Sequence, residues 1–148
     1  MKLKHAISVL PVLLAALALA SPAGAETRHL SGSFRADSNA TISMDVVIRG
    51  GDPVAARHIE LTGLDYTCGD TGASGEMSAS LGRTAIFRSA RGGFEFEAEP
   101  TGTGLDYVIA GGLLGRSANK VKGGVAYFFE DASGTTCDSI FDGRYVAR

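Results

Sequence analysis

Thr41-Ile42-Ser43-Met44-Asp45-Val46-Val47-Ile48 decides the fold class. Ile42, Met44, Val46 and Ile48 fall on one parity, and Thr41, Ser43, Asp45 and Val47 on the other. A period of two puts one set on the buried face of a pleated strand and the other toward solvent. The same alternation recurs in Phe94, Phe96 and Ala98 against Glu95, Glu97 and Glu99. Leu105, Tyr107 and Ile109 form a third row. Val121, Gly123, Val125, Tyr127 and Phe129 form a fourth, and Cys137, Phe141, Tyr145 and Ala147 a fifth. Leu30 and Phe34 suggest an earlier strand of the same kind.

Turn formers separate these rows: Gly50-Gly51-Asp52-Pro53, Gly69 to Gly75, Arg91-Gly92-Gly93, Pro100 to Gly104, Ser117-Ala118-Asn119 and Asp131 to Gly134. Short alternating strands between glycine-rich turns predict an all-β domain. An antiparallel β-sandwich is the first expectation, and a closed up-and-down β-barrel the alternative. No run of a dozen residues keeps a helical period. Ser74 to Leu81 reads equally as a short helix or as a loop leading into an edge strand. Within 59–68 the buried parity switches, from Ile59 and Leu61 to Leu64, Tyr66 and Cys68. An inserted residue produces such a switch, and Gly63 lies at it, so a bulge or bend is expected there.

The first 25 residues read as an address. Lys2 and Lys4 precede an uncharged run from Ala6 to Ala20, and Ala23-Gly24-Ala25 offers small side chains before Glu26. This is the layout of a secretory signal peptide. The uncharged run is 15 residues long, short for the roughly 20 that span a bilayer. Cleavage after Ala25 leaves residues 26–148 as one all-β domain with no stable membrane span. The whole chain has 148 residues and a formal charge of −2. Loss of Lys2 and Lys4 takes the charge to −4. Such a balance excludes a nucleic-acid binder that relies on phosphate neutralisation. An apolar fraction of 45 % excludes disorder. The expected location is periplasmic or extracellular.

Cys68 and Cys137 are the only cysteines. An even count in an oxidising compartment predicts a disulfide. Their parities place both on inward faces.

Catalytic signatures are missing. His29 and His58 are the only histidines beyond residue 25, and each stands alone in sequence. No zinc spacing results, so no metal is expected. G-x-S-x-G is absent, and Thr101-Gly102-Thr103-Gly104 lacks the lysine of a phosphate loop. The Glu95, Glu97, Glu99 stripe reads as a solvated strand face that discourages aggregation. Asp70, Ser74 and Glu76 crowd one glycine-rich stretch, and Glu130, Asp131 and Asp138 flank another. Hard oxygen donors suit calcium, but no EF-hand spacing appears. Phe128 is opposite in parity to Tyr127 and Phe129, so it faces outward, either under a loop or in a contact patch. Asn39-Ala40-Thr41 is a glycosylation sequon, meaningful only in a eukaryotic secretory pathway.

The plan as a whole resembles small exported bacterial β-sandwich proteins of uncharacterised function. The residues that carry the resemblance are the Gly50-Gly51 turn, Cys68, and the final stretch from Cys137-Asp138-Ser139 to Tyr145-Val146-Ala147-Arg148. Those proteins often have a tryptophan in the last strand, where this chain has Tyr145. The resemblance implies a fold and an export route and supplies no catalytic residue. The expected function is that of an exported, non-enzymatic interaction domain without a cofactor. Its expected partner is an extracytoplasmic protein, otherwise unknown. A barrel holding a small apolar ligand and a secreted protease inhibitor are the alternatives.

Overall fold

The computed structural model describes residues 24–36, 39–69, 71–99, 107–139 and 143–148, with backbone alone at 107–109 and 139. The expected signal segment therefore lies almost wholly outside the described residues, and the first strand starts at Glu26. Among the described residues eleven strands follow in order: β1 Glu26–Phe34, β2 Thr41–Arg49, β3 Asp52–Cys68, β4 Ala73–Leu81, β5 Thr84–Ala85, β6 Phe87–Arg88, β7 Phe94–Ala98, β8 Tyr107–Leu114, β9 Val121–Glu130, β10 Thr136–Ser139 and β11 Arg144–Ala147. No helix occurs among the described residues. The segment 74–81, open between helix and strand on sequence, lies within strand β4.

Every pairing is antiparallel. Neighbours run β10–β3–β2–β1–β11–β9–β8–β7–β6, and β10 also bonds to β9. The path β10–β3–β2–β1–β11–β9 thus returns to its start. A second circuit passes through residues 84–88. Ala85 pairs with Ala55 of β3, the Ile86 N–H donates to the Val54 carbonyl at 3.1 Å, and Phe87 pairs with Glu95 of β7. Both architectures considered from sequence are all-β and antiparallel, and that is the class observed.

The alternation translates directly into burial. Ile42, Met44, Val46 and Ile48 are buried, as are Phe94, Phe96, Ala98, Val121, Val125, Tyr127, Tyr145 and Ala147. They form one contiguous core in which Phe34 and Tyr145 meet edge to face, with ring centroids 5.7 Å apart. Burying such side chains supplies the main driving force, roughly 25 cal/mol per Å² of apolar surface. The described buried row of β8 is Ala110, Gly112 and Leu114. The side chains of Leu105, Tyr107, Ile109 and Phe141 lie outside the described residues. Val47, expected on the solvent face, is buried, and the β2–β3 register shifts between Val47 and Ile48.

Strand β3 bends where its sequence changes parity. The register with β4 shifts between Leu61 and Leu64, and Gly63 has φ +67°. A Cβ at Gly63 would lie 2.9 Å from the Asn39 carbonyl oxygen, so only glycine fits this bulge. Past the bulge, Tyr66–Cys68 pairs with β10, and Cys68 stands directly opposite Cys137. The two sulfurs are bonded at 1.98 Å. No helix among the described residues is long and apolar enough to cross a membrane.

The bridge closes a sequence separation of 69 residues. Loop-closure entropy for that length predicts that the Cys68→Ala/Cys137→Ala variant loses about 4 kcal/mol of stability. Urea unfolding of the variant against the oxidised parent measures it, and an unchanged midpoint would contradict the prediction.

Candidate functional site

Two strands place four glycines in one square. Gly111 of β8 is opposite Gly124 of β9, and Gly112 is opposite Gly123. The pleat sends one pair inward and the other outward. The inward pair is required by the core. A Cβ on Gly112 would lie 2.6 Å from both the Phe96 ring and the Val121 side chain. A Cβ on Gly123 would lie 1.7 Å from the Gly111 carbonyl oxygen and 2.4 Å from the Tyr145 hydroxyl. Through that space the Tyr145 O–H donates to the Gly111 carbonyl at 2.8 Å. Burial pushes the Tyr145 phenol above its ordinary pKa, so it stays a donor across the physiological range.

The outward pair differs. A Cβ on Gly111 would meet its nearest atom at 3.6 Å and one on Gly124 at 3.8 Å, both ordinary contacts. Neither glycine has a positive φ. No close contact demands glycine at either position. Their effect is on the surface, where they floor a trough of ≈ 570 Å³. Phe87, Glu95, Glu97, Leu113 and Lys122 stand around it. Phe87 is 64 % exposed and Leu113 55 %, large values for apolar side chains. Phe128 also faces outward, as its parity predicts. Glu95, Glu97 and Lys122 form no ion pair among the described residues. Beyond Lys122 the cations crowd together. The Lys120 ammonium is held below its ordinary pKa by Arg148 and then by Lys122.

A second constellation lies on the outer face of β1, β2 and β3. His29 is opposite Asp45 in register, and Asp45 is opposite Arg57. His29 Nδ1 is 3.0 Å from Asp45 Oδ1, and His58 Nδ1 is 2.9 Å from Asp45 Oδ2. Arg57 Nε lies 3.9 Å from the same Oδ2. The two histidines that stand alone in sequence thus share one carboxylate. Both donate to it, and this holds the Asp45 carboxyl below its ordinary pKa. Sequence missed the cluster because it depends on a bulge: β2 advances from Ser43 to Asp45 while β3 goes from Glu60 back to Arg57. His58 sits in that bulge with φ 49°.

The acidic residues considered for calcium are placed otherwise. Asp70 lies outside the described residues, and Ser74 and Glu76 are exposed on β4. Asp131 shapes its own turn. Its Oδ1 accepts from the Ser133 N–H at 2.8 Å, the Ser133 hydroxyl at 2.6 Å and the Thr135 N–H at 2.9 Å. These bonds, the Ser133 hydroxyl first, hold the Asp131 carboxyl below its ordinary pKa. Cys68 and Cys137, beside Asp131, are bonded to each other and offer no thiolate. Glu95, Glu97 and Glu99 are exposed, as the stripe predicts.

The chain matches no protein-family model, no curated protein and no solved structure with which it was compared.

Two outcomes test this geometry. Gly112→Ala and Gly123→Ala each destabilise, by about 1–3 kcal/mol for overpacking and more where backbone must move. Gly111→Ala and Gly124→Ala each stabilise by roughly 0.5–1 kcal/mol, since alanine loses less entropy in a strand. Thermal unfolding of the four variants measures the contrast; four equal losses would contradict it. For Asp131, the folded pKa lies below the unfolded value, so the turn is held above about pH 4 and loosens as pH falls through the lowered pKa. The amide protons of Ser133 and Thr135 then titrate together in NMR spectra, with a midpoint below about 3.9. Separate midpoints, or one at the ordinary value, would contradict the turn.

Proposed function

We propose that the chain is an exported, non-enzymatic interaction domain that takes an extracytoplasmic protein partner in the glycine-floored trough. One observation carries the reading: Gly111 and Gly124 are glycine where the fold tolerates a side chain. Glycine inside a strand weakens it, and it often marks a place where another molecule approaches the backbone closely. Exposed Phe87 and Leu113 at the rim supply the apolar contact that a protein partner uses.

The rim also indicates the partner's chemistry. From β7 to β9 the trough crosses two strand spacings, about 10 Å. An extended segment covers that in about three residues. Glu95 and Glu97 at one end favour a cation on the segment, and Lys122 at the other favours an acid. The flat floor between them suits an aromatic ring. The contiguous core of large apolar side chains favours an outer site over an internal ligand. Of the two architectures, the two circuits of strand pairing favour the closed barrel, with the trough on its outer wall. Export is supported by the N-terminal address and by the disulfide.

A displayed random-peptide library selected on the purified chain tests the reading. Enriched peptides are expected to carry an aromatic residue beside a lysine or arginine, and to lose binding to a Gly111→Val/Gly124→Val variant that stays folded. No enrichment, or binding that survives the filled trough, would overturn it.

A further inference from the structure

We propose that the hollow beside the β8–β9 turn, walled by Lys120, Lys122 and Asn119, binds the phosphate group of a small organic phosphomonoester. The hollow lies across Leu113 from the trough, and its assignment does not rest on the reading given to the trough.

The lysines mark the place. Residues 26–148 contain ten arginines but only two lysines, Lys120 and Lys122. Both line one hollow of ≈ 340 Å³, together with Leu113, Leu114, Gly115 and Asn119. They flank the buried Val121, so the pleat sends both outward, about 7 Å apart along the strand. Strand β11 adds a third cation. Val146 is opposite Lys122 and Ala147 opposite Val121, which brings Arg148 beside Lys120 at one strand spacing, about 5 Å. Like charges so placed repel. None of the three forms an ion pair among the described residues. The Lys120 ammonium is held below its ordinary pKa in consequence, by Arg148 first. The fold retains this repulsion, and a bound anion relieves it.

The turn supplies neutral donors in a fixed position. The Ala118 N–H donates to the Gly115 carbonyl at 3.0 Å, and the Ala118 methyl is buried in the core. From β1 the Arg28 guanidinium donates to the Ser117 carbonyl. The Ser117 hydroxyl donates to Asn119 Oδ1 at 2.8 Å, which leaves the N–H groups of that amide as donors at the hollow.

The charge and the walls select the ligand. Three cations favour a dianion over a carboxylate. A phosphate monoester carries about two negative charges near neutral pH and presents three strong acceptor oxygens. Ammonium groups bind it as point charges, and a guanidinium binds it as a fork. The volume is at the low end of small-molecule sites, about 300–1,000 Å³, which leaves room for an organic group beside the phosphate. Leu113 and Leu114 offer that group an apolar wall.

The experiment is a calorimetric titration of the purified chain near neutral pH and at low ionic strength. The probes are phenyl phosphate, inorganic phosphate and benzoate. One phenyl phosphate is expected per chain, bound more tightly than either of the others. Lys120→Gln and Lys122→Gln each weaken it by roughly tenfold or more, and Asn119→Ala by about fivefold. Lys120→Gln unfolds at no lower temperature than the parent, because it removes a repulsion. The Gly111→Val/Gly124→Val variant, which fills the trough, keeps the parent's affinity. The proposal is overturned if benzoate binds as tightly as phenyl phosphate, or if binding survives in the Lys120→Gln/Lys122→Gln double variant. Tighter binding of inorganic phosphate would overturn the organic part and assign the hollow to the free ion. Loss of binding in the filled-trough variant would place the ligand in the trough and overturn the assignment.

Discussion

Tyr145 reaches the Gly111 carbonyl only because position 123 has no side chain. That close approach organises much of the molecule. Tyr145 is the largest fully buried side chain among the described residues, and it packs against Phe34 from β1 while its hydroxyl bonds to β8. It thereby joins the first, the last and a middle strand at one point. A buried hydroxyl without a partner is unfavourable by about 1–3 kcal/mol, so the carbonyl it finds is a condition of packing the ring there. The inward glycines make the space, and the pleat then dictates that their neighbours, Gly111 and Gly124, face out.

The outer surface follows from that arrangement. The same four-residue square that admits an aromatic ring from inside presents a bare floor outside. Only the inner half is needed for the fold. A strand face with its side chains removed, bordered by Phe87 and Leu113 and by charges of both signs, resembles the centre and rim of a protein interface. On the far side of the sheet path, Asp45 draws two exposed imidazoles together across three strands. The fold thus offers two surfaces with different chemistry, one apolar and flat, the other rich in nitrogen donors.

Much of the fold was legible in sequence because burial on a pleat follows parity. The rows through Ile42–Ile48, Phe94–Ala98 and Val121–Tyr127 needed no tertiary information. Gly63 was legible because a parity switch has few causes, and the two cysteines because only one pairing exists. What remained hidden depends on register. Gly111-Gly112 and Gly123-Gly124 read as separate weak points until β8 and β9 are aligned. His29 and His58 read as isolated until a bulge sets His58 beside the row that already pairs His29 with Asp45. Val47 was misplaced for the same reason, since a register shift next to it breaks the alternation. Segment 74–81 has only Met77 and Leu81 as large apolar residues, too few to set a period, so its strand character shows in its hydrogen bonding to β3 rather than in its own pattern.

The central claim is that Gly111 and Gly124 serve the surface and not the fold. A crystal structure of the Gly111→Ala/Gly124→Ala variant tests it most directly. The account predicts both methyl groups in the trough, the β8–β9 register unchanged, and the Tyr145 hydroxyl still on the Gly111 carbonyl at its present 2.8 Å. A slipped register, or a Tyr145 ring driven from its place, would show that the outward glycines are structural and contradict the claim.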